Sequence, residues 1–246
     1  MQKIVSVLIP TRGRVKRLEK CIKSFETNTE DLSKVELICK VDDDDEDTMK
    51  FIMNYKTNIS LNFIISPRKD GYGSLHEFYN KMAEISTGKF LYIFNDDIYM
   101  NTFGWEKIIE EHSNQFCVLA HNTYVENNAP KIQATKTNIF TPNYNGNPIF
   151  PRKLVEICGF VSPHQLVDHW FVVLLRELKC KRIDIEKWVD ISCITDRPDG
   201  NYASTDLDNT YSEGREHINW DQPIDLRKNC VYKIIEYLNN AGYKLD

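Results

Sequence analysis

Four apolar runs in the first hundred residues each end abruptly in charge. Ile4 to Ile9 is almost continuously apolar and closes on Pro10-Thr11-Arg12-Gly13-Arg14. Val35 to Val41 runs into Asp42-Asp43-Asp44-Asp45, Leu61 to Ile65 into Pro67-Arg68-Lys69-Asp70, and Phe90 to Phe94 into Asn95-Asp96-Asp97. Short, uninterrupted apolar runs read as strands buried on both faces, as in a parallel sheet. Val15, Leu18, Ile22 and Phe25 recur at helical spacing after the first run, and Leu75, Phe78, Tyr79, Met82 and Ile85 after the third, with Gly88 as a stop. Strand–helix alternation predicts an α/β fold with a mostly parallel central sheet and helices on both faces. Ligands of such sheets sit beyond the carboxyl ends of the strands, where all four polar clusters fall.

The second half is less regular. Trp105, Ile108, Ile109 and His112 predict a short helix, Phe116 to Ala120 a strand, and Leu166 to Leu178 a strongly apolar helix. Residues 126–150, rich in Asn, Pro and Thr, predict a long loop. Residues 195–222 are polar and aromatic without a period, and Val231, Ile234, Ile235 and Leu238 mark a final amphipathic helix. A length of 246 residues predicts one domain spanning 1–246.

Composition narrows the class. A formal net charge of -5 lacks the basic footprint of a dedicated nucleic-acid binder. The seven cysteines form no CxxC pair, which argues against a zinc knuckle and for reduced, partly buried thiols. No run approaches the ~20 apolar residues of a membrane span. Met1-Gln2-Lys3-Ile4 leads straight into a strand without the regions of a signal peptide, so the expectation is a cytoplasmic protein. Richness in Lys, Asn and Ile fits a phage or AT-rich bacterial origin.

Asp96 and Asp97, just past a buried strand, carry charge that a divalent cation offsets; Mg²⁺ and Mn²⁺ commonly bridge carboxylates to substrate phosphates. A solvated turn or helix cap uses the same residues. Asp42 and Asp43 could accept hydrogen bonds from a nucleotide base or ribose, while Asp44, Asp45, Glu46 and Asp47 read as a solvated run. Arg12, Arg14, Arg68 and Lys69 could bind phosphate, and Gly71 and Gly73 could bring backbone N–H groups to one. Asp168, at the start of an apolar helix, could be a general base or merely satisfy the helix dipole. His164, His169 and His217 are candidate metal ligands.

In this order the motifs resemble family 2-like glycosyltransferases of the GT-A fold. Val5 to Arg14 resembles their opening strand and loop, Lys40-Val41-Asp42-Asp43 their second strand, and Gly73 to Gly88 their Asn-bearing helix, here with Asn80. Phe94-Asn95-Asp96-Asp97-Ile98-Tyr99 resembles their DxD metal motif, with Asn95 where many members have Asp. The resemblance implies a nucleotide-sugar-binding half over 1–100 and an acceptor-side half over 101–246. It implies a UDP-sugar or similar donor held by Pro10, Thr11, Arg12, Arg14, Asp42, Asp43, Lys69, Gly71, Asn80 and Asp96, and Mn²⁺ or Mg²⁺ held by Asp97, Asp96 and His217. Asp168-His169-Trp170 is similar to the acceptor-side helix, whose usual Glu-Asp pair is reduced here to Asp168. Asp208-Asn209-Thr210-Tyr211 resembles a tail segment of phage-encoded members. The implied acceptor is a glycan, a small molecule or a modified DNA base. A sugar nucleotidyltransferase and an inactive scaffold of the same fold remain alternatives.

Overall fold

The computed structural model describes residues 3–125, 147–195 and 223–243. Strands β1 (Val5–Thr11), β2 (Val35–Asp42), β3 (Ser60–Ser66) and β4 (Phe90–Ile93) form the parallel part of the sheet, in the order β3-β2-β1-β4. Four further strands complete it: β5 (Ile98–Met100), β6 (Val118–Val125), β7 (Ile149–Pro151) and β8 (Glu186–Thr195). They continue the order as β4-β7-β6-β8-β5, with β6 and β8 parallel and the other three pairings antiparallel.

The period of two along each strand sorts the core into two layers. Val5, Val7 and Ile9 of β1 pack with Leu18, Ile22 and Phe25 of α1 (Val15–Asn28), Ile52 of α2 (Glu46–Asn54) and Trp105 of α4 (Trp105–Glu110). Leu8 faces the other way, toward Tyr79 and Met82 of α3 (Leu75–Ile85) and the apolar faces of α5 (Arg152–Cys158), α6 (Val167–Cys180) and α7 (Ile224–Asn240). Helices therefore cover both faces of the sheet. All seven cysteines are unpaired thiols, and all but Cys180 are buried. Among the described residues no helix is long and apolar enough to cross a membrane.

The sheet has to curl. β4 and β5 are four places apart in the strand order, ~19 Å in a flat sheet. Only residues 94–97 join them, and five Cα steps reach at most ~17 Å. The outer strand β5 is fastened under α1: Ser24 Oγ accepts from Met100 N–H at 2.9 Å, and Asn28 Nδ2 donates to Met100 O at 2.9 Å. This covers an edge that would otherwise be open.

Several expectations are corrected. Ile149 and Phe150, assigned to a loop, form β7, and the strand expected at 116–120 runs from Val118 to Val125. The solvated acidic run contains the start of α2: the Asp45 side chain caps it by accepting from Thr48 N–H at 3.2 Å, and Glu46 and Asp47 occupy the favourable first turn. Gly88 is not the stop of α3, which ends at Ile85. Gly88 instead lies against β1, its N–H donating to Ser6 Oγ at 2.8 Å. A Cβ there would sit 2.5 Å from Ser6 N and 2.7 Å from Val5 C, backbone atoms that cannot rotate away. Gly88→Ala is therefore expected to lower stability by about 1–3 kcal/mol in urea unfolding. An unchanged midpoint would show that this turn is not pinned against β1.

Candidate active site

The parallel register brings the strand ends to one edge. Thr11 lies beside Val41, Asp42 beside Ser66, and Ile93 beside Leu8. The chain leaving β4 passes beneath this edge, with Phe94 N–H donating to Leu8 O at 3.0 Å. Asp96 and Asp97 follow and are 0% and 1% exposed. Thr11 Oγ1 donates to Asp96 Oδ2 at 2.7 Å. Arg14 sets Nη2 at 2.8 Å from Asp96 Oδ1 and Nη1 at 3.7 Å from Asp97 Oδ2. The loop is anchored on its far side by Thr195 Oγ1 of β8, which donates to Asp97 O at 3.1 Å.

Burial pushes the Asp96 carboxyl up to about 6; Arg14 pulls it back, Asp97 raises it further, and the Thr11 hydroxyl lowers it. Asp96 Oδ1 is buried and makes no hydrogen bond, although Arg14 lies within ion-pair distance. Two buried carboxylates presenting hard oxygen donors fit Mg²⁺ or Mn²⁺. No group of three or more His, Cys, Asp or Glu that could hold a metal comes together among the described residues. Donor sets of this size suit a cation whose remaining ligands are substrate phosphates and water.

The second cluster sits at the ends of β1 and β2. Asp42 is held by two cations: Arg12 Nη1 at 2.9 Å from Oδ2, and the buried Lys40 on Oδ1. Lys40 also lies 3.7 Å from the centre of the Phe78 ring, and burial lowers its pKa. Arg12 reaches Asp44 as well, with Nη2 at 3.0 Å from Oδ2. Gly13, at φ +63°, donates its N–H to Asp45 Oδ2 at 2.6 Å, joining the two loops. Asp43 is exposed at the same edge. A cavity of about 330 Å³ opens here, lined by Arg12, Gly13, Asp44, Asp45, Glu46 and Asp47.

The other candidates lie across α3. Lys69 forms an ion pair with Glu77. Gly71 and Gly73 donate their N–H groups to Arg68 O and Asp70 O at 3.0 and 3.1 Å, so the amides expected to approach a phosphate are used inside the turn. Asn80 directs its amide to the backbone of Val161 and Ser162. Asp168 is half-buried in the first turn of α6 and accepts the His169 N–H at 2.8 Å. His164 Nδ1 accepts from Leu166 N–H at 3.1 Å. His217 and Asp208 to Tyr211 lie outside the described residues.

Sequence reading missed Tyr79, taken only as part of an apolar helix face. Its hydroxyl donates to Phe94 O at 3.3 Å, just before the Asp96 loop. Burial raises its pKa, and the charges of Asp168, Asp96 and Asp97 add to the rise. One phenol thus senses all three candidate carboxylates. Lys40 was visible as a lone lysine inside an apolar strand.

The family described as "Glycosyl transferase family 2" matches residues 6–167, more than half of the chain. The chain belongs to this family. The match takes in β1 through the start of α6 and stops one residue before Asp168. No curated protein matches the chain. Among solved structures, S. aureus TarS 1-349 in complex with UDP is 15% identical over 78% of this chain and 60% of that one, with a TM-score of 0.60. The same fragment with UDP-GlcNAc gives a TM-score of 0.62 over 96% of this chain and 67% of that one. The mannosyltransferase PcManGT from Pyrobaculum calidifontis, with GDP-Man and Mn²⁺, is 11% identical over 98% and 76%, with a TM-score of 0.61. The family 2 chain spans 36% of the longer TarS structure. At these identities the likeness shows a shared GT-A fold.

Proposed function

We propose that this family 2 chain moves a sugar from a nucleotide-diphosphate donor, a UDP-sugar in the first instance, to an acceptor hydroxyl, with Mn²⁺ or Mg²⁺ at Asp96 and Asp97. Residues 1–100 supply the donor half and 101–246 the acceptor half. The observation that carries this reading is the buried pair Asp96 and Asp97 at the carboxyl edge of β1 and β4, beside Thr11 and Arg14. The nucleotides named for TarS and PcManGT, and the Mn²⁺ named for PcManGT, support it.

A cation bound there would neutralise charge developing on the leaving diphosphate. Arg14, with its side chain 35% exposed, can swing from the carboxylates to a phosphate. Arg12 lines the open cavity, Asp43 is exposed at the same strand edge, and the two would meet the nucleotide base and ribose. Asp168 would take the proton of the acceptor hydroxyl as its oxygen attacks the anomeric carbon. The bond from that carbon to the diphosphate oxygen breaks as the new glycosidic bond forms.

Calorimetric titration with UDP and GDP, with and without Mn²⁺, tests this on the parent and on Asp97→Ala. Micromolar binding that needs Mn²⁺ and vanishes in the variant is expected. Binding of neither nucleotide by the folded parent would refute the reading, and equal binding without Mn²⁺ would remove the metal from it.

A further inference from the structure

Asn80 is better placed to hold the acceptor side of the site than to touch the donor. Three of the four hydrogen bonds its side-chain amide can make go to one stretch of backbone. Oδ1 accepts from Val161 N–H at 2.7 Å and from Ser162 N–H at 3.3 Å, and Nδ2 donates to Ser162 O at 3.0 Å. The links continue toward α6. Ser162 Oγ donates to His164 O at 2.7 Å and accepts from His164 N–H at 3.1 Å, and His164 Nδ1 takes the Leu166 N–H. Asp168 follows in the first turn of α6.

Residues 159–166 have no helix or strand of their own to satisfy their backbone. A buried polar backbone needs partners, and Asn80 and Ser162 supply them. Only a primary amide offers both a carbonyl that accepts two bonds and an NH₂ that donates. On the preceding residue of α3, Tyr79 bonds Phe94 O beside the Asp96 loop. Adjacent residues of one helix thus reach both halves of the site.

We infer that Asn80 is a positioning residue that fixes the Asp168-bearing segment against the donor half. The inference rests on the proposed sugar transfer for its catalytic consequence, while the clamp itself is independent of it. Displacing a reacting group by an ångström can cost about 100-fold in rate without changing affinity for the bound partner.

The test compares Asn80→Ala, Asn80→Asp and Ser162→Ala with the parent. It reads amide hydrogen exchange over 159–167, UDP and GDP affinity with Mn²⁺, and nucleoside diphosphate release from UDP-glucose and GDP-mannose. For Asn80→Ala, exchange at Val161 to His164 should quicken by about tenfold or more. Turnover should fall about 100-fold, with nucleotide affinity and donor KM within about twofold of the parent. Asn80→Asp keeps the two accepted bonds and loses the donated one, so it should fall between. Ser162→Ala should lower turnover with the same unchanged donor KM, reaching the segment from its other side.

A loss of about tenfold in nucleotide affinity with exchange unchanged would make Asn80 a donor contact and overturn the inference. Faster exchange with unaltered turnover would overturn the positioning role. Failure of the parent to bind either nucleotide refutes the sugar-transfer reading. Unchanged exchange in Asn80→Ala refutes the clamp by itself.

Discussion

Asp97→Asn should lower turnover by about 1,000-fold, roughly 4 kcal/mol of transition-state stabilisation, in a protein that remains folded. Asparagine keeps the shape of the side chain and removes the negative charge, the property that a cation and its diphosphate would need. The loop should survive because its backbone is held by bonds that do not use this carboxylate. Phe94 N–H is tied to Leu8, Ile98 N–H to Asn95 O, and Asp97 O to Thr195. Steady-state diphosphate release with saturating Mn²⁺, beside a thermal melt, separates the two effects. Activity above about a tenth of the parent would mean that this carboxylate does not hold the cation. Low activity with a collapsed melt would point to a structural role.

The parallel half of the fold was legible because its signals are long and local. Ile4 to Ile9 and Val35 to Val41 are uninterrupted apolar runs, and α3 appears at Leu75–Ile85 as its apolar spacing predicts. The second half of the sheet left less: only β6 was foreshadowed, by the apolar run from Phe116 to Ala120. β5 and β7 have three residues each, too short for any period, and exist because distant partners pair with them. β8 mixes Glu186, Lys187 and Asp190 with buried Val189 and Ile191, a half-exposed pattern easily read as irregular. α2 was hidden because its first turn is acidic, which helix electrostatics favour and a reading by hydropathy discards.

The site divides the same way. That Asp96 and Asp97 follow a buried strand is a local fact, so their place at the sheet edge could be read. Which partner each side chain takes is not local. Arg12 was a phosphate candidate like Arg14, yet it grips Asp42 and Asp44 while Arg14 spans Asp96 and Asp97. Asn80 meets Ser162 across 82 residues of chain, and no spacing rule reports such a pair. The Asp run likewise resolves into distinct tasks: Asp42 in a double ion pair, Asp45 as a cap, Asp43 left exposed.

In metal-free protein, His121→Gln should uncover a pH dependence of stability between about pH 4 and pH 6 that two buried groups cancel in the parent. His121 is fully buried between the Tyr92 hydroxyl, 2.7 Å from Nε2, and the carbonyls of Asn147 and Asn122 at 3.0 and 3.2 Å. Burial pushes its pKa down to about 4. Below the ordinary value near 6.5 the unfolded chain binds a proton that the folded ring refuses. Stability is therefore complete above that value and is lost as pH falls toward 4, by about 3 kcal/mol at 1.4 kcal/mol per pKa unit. Asp96 acts in the opposite sense. Its pKa is raised to about 6, so the folded state keeps a proton that the unfolded chain releases above about 3.8. Its contribution is lost as pH rises through that window, again by about 3 kcal/mol. In the parent the two slopes offset each other. Exposed, paired carboxylates such as Asp44 are common to every variant, so differences between variants isolate the buried pair. Relative to the parent, His121→Gln should lose stability as pH rises from 4 to 6, leaving the Asp96 slope. Asp96→Asn should lose stability on acidification and exceed the parent by up to about 3 kcal/mol near neutrality. Urea unfolding across this range with a chelator present reads both. Parallel curves for parent and His121→Gln would mean that the ring is already charged in the folded protein. A gain in stability for Asp96→Asn together with lost nucleotide binding would show that the carboxylate is kept for function at the expense of the fold.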